Sequence, residues 1–208
     1  MTHPIRALRL AVVLALPLLL AACASPGQPV SSFDFGPVSP APAPAAQAAA
    51  APLPAIIVAD VSGPASLDTE RMQYRLLYAD ARQSRPYAYN QWTNTPLQLL
   101  TQRIKARIAQ SGVKVLSATD AAASITLLRI EADDFVQNFD TATQSSGHIS
   151  LRASVFHGHK LVDQKTFERS APAPSPDAAG GARALSDAAD GVSADILAWL
   201  AALPLRKE

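Results

Sequence analysis

The chain has 208 residues and a formal net charge of +1. This length suits one folded domain with appendages. Without the first 22 residues, 16 basic and 17 acidic side chains remain. That balance argues against a nucleic-acid-binding protein, because such proteins concentrate basic residues on one face. The single cysteine, Cys23, excludes an internal disulfide bond.

The first 23 residues have the pattern of a lipoprotein signal peptide. Arg6 and Arg9 precede an uncharged apolar stretch, residues 10–22, which is short for a membrane span. The stretch ends in residues 20–23 (LAAC), which resemble the bacterial lipobox. The resemblance implies that residues 1–22 are removed and that the Cys23 thiol receives diacylglycerol. The alternative is an ordinary signal peptide with a chance cysteine.

Residue 24 bears on the destination of such a lipoprotein. In proteobacterial lipoproteins an aspartate after the lipidated cysteine commonly marks retention in the inner membrane. This chain has Ala24 there. The resemblance therefore implies an outer-membrane lipoprotein that faces the periplasm.

Residues 23–54 are predicted to be a flexible Ala/Pro-rich tether that follows the lipidated cysteine. Alternating prolines between residues 40 and 54 favour an extended chain that cannot form a packed core. One segment differs, residues 33–37 (FDFGP), because it carries two aromatic side chains. It could dock on the domain as a short edge strand ended by Gly36 and Pro37. Only residues 24–32 would then be free.

Residues 55–208 are predicted to form the folded domain. Its first half contains apolar or aromatic strands at residues 55–61, 73–78 and 86–92. A helix follows, and its start is marked by Thr95 as N-cap, Pro96 at N1 and Gln98 at N3, the pattern of a capping box. Gly112 supplies its C-terminal stop.

The second half of the domain is predicted to be mostly antiparallel strand. Strands are expected at residues 113–116, 124–139, 147–156 and 161–169, with a hairpin turn at residues 157–160. Polar and apolar residues alternate within 147–156, so the side chains expected to face inward are Ile149, Leu151, Ala153 and Val155. Residues 171–176 are expected to form a loop, and a final helix to span about 178–202. The fold class is therefore α/β, a single domain with a mixed β-sheet and two main helices.

The sequence carries no signature of a catalytic or cofactor site. His148, His157 and His159 could meet at a zinc ion. A solvated turn explains His157 and His159 better, and we expect no metal or other cofactor. Glu131, Asp133 and Asp134 resemble paired catalytic carboxylates, and a solvated strand end is the simpler interpretation. The chain is therefore expected not to be an enzyme.

An aromatic cluster is the more informative candidate. Tyr87, Tyr89 and Trp92 lie close together in the sequence. They either pack in the core or contact a partner or lipid, because exposed aromatic side chains often anchor interfaces. We take Tyr87 and Trp92 as the candidate interface residues.

These features together resemble the ABC-type transport auxiliary lipoprotein family over roughly residues 33–203. The family usually has Tyr and Leu where this chain has Phe33 and Phe35. The resemblance is carried, in chain order, by residues 33–37, residues 74–78, residues 87–92 with Pro96 and the helix at Leu99 and Leu100, residues 135–139, residues 147–155, and Trp199 with Leu200. It implies a fold similar to the N-terminal domain of the TolB protein.

The resemblance also implies a function. Members are periplasmic, outer-membrane-anchored partners of transporters that contain mammalian-cell-entry domains and move phospholipids or other hydrophobic molecules between membranes. We expect this chain to dock the conduit of such a system, to form a homo-oligomer around it, and to hold no lipid in a cavity of its own. The alternative is a lipoprotein that assists envelope assembly or binds the cell wall.

Overall fold

Eight strands, two α-helices and a short 3-10 helix at Ala65–Leu67 make up the computed structural model, which describes residues 28–39, 53–117, 119 and 125–205. This is the predicted α/β fold, with one mixed sheet and two main helices. The similarity to the TolB N-terminal domain stays a prediction. In chain order the elements are β1 Ser31–Phe33, β2 Ile56–Val58, β3 Arg71–Leu76, β4 Asp80–Trp92, α1 Pro96–Gln110, β5 Val115–Leu116, β6 Thr126–Phe139, β7 Ser145–His157, β8 Lys160–Pro172 and α2 Ala178–Ala202.

Strand β6 is the centre of the sheet because three neighbours share its two edges. Along one edge it pairs antiparallel with β7 over its whole length, and β7 pairs in turn with β8. The other edge is divided, since β2 pairs in parallel with residues 126–128 and β3 with residues 137–139. Beyond β3 lie β4 and β1, and beyond β2 lies β5. The sheet therefore branches on one side of β6.

Helix α2 covers the sheet on β7 and β8. The predicted alternation of β7 is confirmed, because its inward side chains are fully buried: Ile149, Leu151, Ala153 and Val155. Apolar side chains at helical spacing on α2 meet them and are also buried: Leu185, Ala189, Val192, Ile196 and Trp199. A Cβ at Gly147 would lie 2.5 Å from the amide nitrogen of Leu185. Glycine there allows α2 to approach β7 closely.

Helix α1 begins as the sequence predicts. Thr95 is the N-cap, and its hydroxyl accepts a hydrogen bond from the Gln98 amide at 3.4 Å, while the Gln98 side chain accepts one from the Thr95 amide at 3.3 Å. Both halves of the capping box are therefore present. The helix ends at Gln110, and Gly112 turns the chain with φ of +87°.

Two strands, β4 and β8, extend furthest beyond their predicted bounds. β4 begins at Asp80 rather than at residue 86, and β8 continues through Pro172 rather than ending at residue 169. The first part of β4 is polar and exposed, so it lacks the apolar alternation by which a strand is recognised, and pairing with β3 establishes it. The predicted hairpin turn between β7 and β8 is confirmed, with Gly158 at φ of +59°.

The capping box gives a prediction about stability. Thr95→Ala should lower the free energy of unfolding by about 0.5–2 kcal/mol, because the Gln98 amide loses its acceptor. Urea unfolding of the unlipidated mature chain measures this difference. Gln102→Ala, on the exposed side of the same helix, is the control and should change stability little. Equal stability of all three proteins would contradict the role of the cap.

Candidate anchoring site

Residues 31–39, here called the docked segment, belong to the folded domain although they lie in the predicted tether. Strand β1 pairs in parallel with residues 90–92 of β4. The amide of Thr93 then donates a hydrogen bond to the carbonyl oxygen of Phe33 at 2.8 Å. The interpretation in which the aromatic FDFGP segment docks is therefore correct, and the paired residues lie slightly earlier, at Ser31–Phe33.

The Phe35 side chain attaches the docked segment to the core. Its side chain is 8% exposed, and its ring centroid lies 6.0 Å from that of Trp92 and 5.9 Å from that of Phe135. Gly36 turns the chain away with φ of +64°, and its amide donates to the Asp34 carboxylate at 2.7 Å. The three rings form one aromatic cluster, which links the N-terminal end of the chain to the centre of the sheet.

Arg103 of α1 binds the backbone of the docked segment. Its side chain is only 3% exposed. The guanidinium donates to the carbonyl oxygens of Phe35 and Gly36, the latter at 3.1 Å, and to the Ser186 hydroxyl of α2 at 3.2 Å. Burial lowers the pKa of Arg103, and the carboxylate of Asp190, 3.6 Å away, opposes that change. A buried arginine is tolerable because its donors have acceptors.

Arg107, one turn further along α1, extends this contact. It donates to the Asp190 carboxylate from Nε at 2.7 Å and to the carbonyl oxygen of Ser39 at 2.8 Å. The hydrogen bond to Asp190 raises the pKa of Arg107. Arg103, Arg107, Ser186 and Asp190, here called the clamp, thus join α1, α2 and the docked segment at one place.

The clamp limits how far the domain can lie from Cys23. Cys23 itself lies outside the described residues, and its lipidation stays a prediction. Seven residues, 24–30, separate it from β1. Fully extended, the chain from Cys23 to Ser31 spans about 26–29 Å. In the part of the chain that is described, no helix is both long and apolar enough to cross a bilayer.

The two candidate interface residues have different environments. Trp92 is 1% exposed and packs within the aromatic cluster, as the core-packing interpretation expects. Its indole therefore has no surface left for a partner. Tyr87 is half-buried and donates from its hydroxyl to the Gln137 side chain at 2.9 Å, with its ring 4.7 Å from Tyr74. Burial raises the pKa of Tyr87. Partner contact by Tyr87 stays a prediction, and its neighbour Tyr89 is 48% exposed.

Three of the other chemical candidates, Glu131, Asp134 and His148, each have a polar partner. Asp134 binds the Arg75 guanidinium through both oxygens, at 2.5 and 3.0 Å, and Glu131 pairs with Arg152 on β7 at 2.5 Å. His148 lies 2.9 Å from the Ser170 hydroxyl. Among the residues that the structure describes, no three His, Cys, Asp or Glu side chains converge as metal ligands would.

The clamp is not predicted from the sequence. A signal was present, because Arg103 and Arg107 follow Leu99 and Leu100 at helical spacing and so lie on the inward side of α1. A charged side chain at such a position indicates a buried acceptor. Which acceptor it binds is not a local property, since the Phe35 carbonyl lies 68 residues away in the chain.

The clamp gives a second prediction. Arg103→Lys should lower the free energy of unfolding by about 1.5–3 kcal/mol, because an ammonium group lacks the planar fork that binds several acceptors at once. Proteolysis within residues 31–39 should also become faster. Arg169→Lys, in a partly exposed pair with Asp195, is the control and should change neither measurement. Unchanged proteolysis of the Arg103 variant would contradict the clamp.

Comparison with solved structures shows the same fold elsewhere. A protein from Xanthomonas campestris superposes with a TM-score of 0.61 at 19% identity, over 85% of this chain and 88% of that one. An uncharacterized protein gives a TM-score of 0.64 at 15% identity, over 83% of this chain and 99% of its own. At these identities the likeness concerns the fold alone. No curated protein sequence matches the chain significantly.

A family model identifies the chain more specifically. The model described as "ABC-type transport auxiliary lipoprotein component" matches residues 37–197. The match includes both helices of the clamp except the end of α2, and every strand after β1. The chain therefore belongs to the ABC-type transport auxiliary lipoprotein family.

Proposed function

We propose that this protein is a non-enzymatic, lipid-anchored component of a transport system that moves phospholipid or another hydrophobic molecule between two membranes. Its acyl chains on Cys23 would hold it in the outer membrane, facing the periplasm. Its partner would be the mammalian-cell-entry-domain protein of the system, whose conduit it docks, and it would act as a homo-oligomer. Family membership and the clamp support this proposal.

The clamp is the observation on which the proposal depends. A protein that only needs to stay near a membrane can be joined to its lipid anchor by a long, flexible linker. Here buried hydrogen bonds to the Phe35 and Gly36 carbonyls fix the anchored end of the chain to both helices. This arrangement suits a component that must hold a second protein at a set height above the membrane, because each free residue in the tether would widen the range of heights.

The surface grooves favour docking over lipid carriage. One groove of about 680 Å³ lies between the β2–β3 connection and α1, and its lining includes Asp60, Asp68, Gln98 and Lys105. Its volume lies within the range of roughly 300–1,000 Å³ that small-molecule sites have. However, it is open to solvent and carries charged side chains, whereas a lipid tail needs an enclosed apolar wall. We therefore propose that lipid passes through the partner's conduit.

The anchor is tested by two substitutions near the cleavage site. Cys23→Ser should leave protein that is uncleaved or released from the membrane, because the lipid is attached to the thiol. Ala24→Asp should move the mature lipoprotein to the inner membrane, and Ala24→Ser is the control for a change at that position. Density-gradient fractionation and mass spectrometry of the N-terminal peptide measure the outcomes. If Cys23→Ser still fractionates normally with the outer membrane, lipid anchoring through Cys23 is refuted.

The partner is tested by crosslinking in cells. A photoreactive phenylalanine analogue at Tyr89 should capture the mammalian-cell-entry-domain protein, because this exposed ring adjoins Tyr87. The same analogue at Leu161 is a matched control, since both side chains are 48% exposed. Capture of cell-wall or envelope-assembly proteins at Tyr89 instead would favour the alternative function. Equal capture of the transport protein at both positions would refute the interface at Tyr87 and Tyr89.

A further inference from the structure

The turn between β3 and β4, residues 77–79, exposes two large side chains. Leu77 is 38% exposed and Tyr78 is 53% exposed. We call these three residues the hairpin tip. The tip continues from Leu76, whose strand partner is Asp80, and the amide of Leu77 donates to the carbonyl oxygen of Phe139 at 2.9 Å. The tip is therefore held by the sheet at the end where β6 finishes.

The docked segment points the anchored end of the chain toward this tip. β1 runs parallel to β4, and β4 starts at the tip and runs away from it. The N-terminal end of β1 therefore faces the end of the sheet that carries the tip. Leu161, the other exposed leucine, lies beside the β7–β8 turn, where His157 is paired with Thr126 at the start of β6. That turn is at the opposite end of the long strands.

The chain between Cys23 and Ser31 is long enough to reach the level of the tip. Ser32 and Arg71 are both level with Gln91, and Leu77 follows six residues after Arg71. At about 3.3 Å per residue, the tip lies about 20 Å from the level of β1. The linker from Cys23 to Ser31 reaches about 26–29 Å when extended. The extended linker is therefore long enough for an acylated Cys23 to lie at the same level as the tip.

The side chains near the tip suit the surface of a bilayer. Leucine and tyrosine partition to the boundary between headgroups and acyl chains, where a phenol ring keeps its hydroxyl in water. Arg82 and Arg85 follow on β4, and Arg82 is exposed. Asp80, the acidic residue between them and the tip, accepts a hydrogen bond from the Arg82 amide at 2.9 Å. Arginines beside such a tip would attract anionic phospholipid headgroups.

We propose that the hairpin tip, Leu77 and Tyr78 with Arg82 beside them, contacts the membrane that holds the acyl chains of Cys23. This inference rests on the lipidation proposed above. It gives the domain a second contact with the bilayer and so fixes its orientation. The β3–β4 end faces the lipid, and the β7–β8 turn with Leu161 faces away from it.

The experiment compares two labelled forms of the full-length acylated protein. The Cys23 thiol is consumed by the lipid, so a new cysteine in Tyr78→Cys or Leu161→Cys can be labelled with an environment-sensitive fluorophore. Each protein is reconstituted into vesicles of phosphatidylethanolamine and phosphatidylglycerol. Quenching by nitroxide-labelled lipids reports contact with the bilayer, and quenching by iodide reports exposure to water. Both positions are exposed turns or strand ends, and circular dichroism checks that both variants are folded.

Position 78 should show blue-shifted emission and several-fold stronger lipid quenching than position 161. Equal lipid quenching at the two positions would overturn the proposal. Shielding of position 78 from iodide without lipid quenching would also overturn it, because a second copy of the chain would then cover the tip. If neither protein floats with the vesicles and the N-terminal peptide lacks acyl chains, the anchor itself is refuted, and that result is distinct from failure of the tip.

Discussion

The buried guanidinium of Arg103 is the interaction on which the N-terminal part of the structure depends. A charge that is 3% exposed is costly unless its donors are satisfied, and here two backbone carbonyls and the Ser186 hydroxyl accept from it. The docked segment is thus a partner that the two helices require. Without it, the cation would face an apolar cluster with fewer acceptors. The docked segment is therefore part of the fold.

The same segment completes the hydrophobic core. The Phe35 ring touches Trp92 at the end of β4 and Phe135 in β6, and these two rings also touch each other, with centroids 5.5 Å apart. Because β6 carries both branches of the sheet, a ring held against it is coupled to the whole domain. The Arg103 guanidinium holds the carbonyl oxygens of Phe35 and Gly36, while the aromatic cluster holds the Phe35 ring. Hydrogen bonding and apolar packing thus act on two consecutive residues. Displacing the segment would have to break both.

Sequence patterns predict the parts of this fold that are set locally. The capping box at Thr95 and the alternation of β7 depend on residues only a few positions apart, and both are confirmed. The start of β4 was missed because its polar residues are fixed by pairing with β3. The clamp was missed because Arg103 and its acceptors are 67 to 83 residues apart. Its charge was visible in the sequence, but its partners were not.

The docked segment also changes the role that the Ala/Pro-rich stretch can have. As a single tether of residues 23–54, that stretch would set the distance between membrane and domain. However, the carbonyl of Ser39 is held by Arg107, and Leu53 packs against the core. Both ends of the stretch between them are therefore attached to the domain, and its length cannot change the reach of the chain from Cys23 to β1. Only residues 24–30 can do so, since they alone lie between the proposed anchor and β1. Selection for a set height would act on those seven residues and leave the longer stretch free to vary.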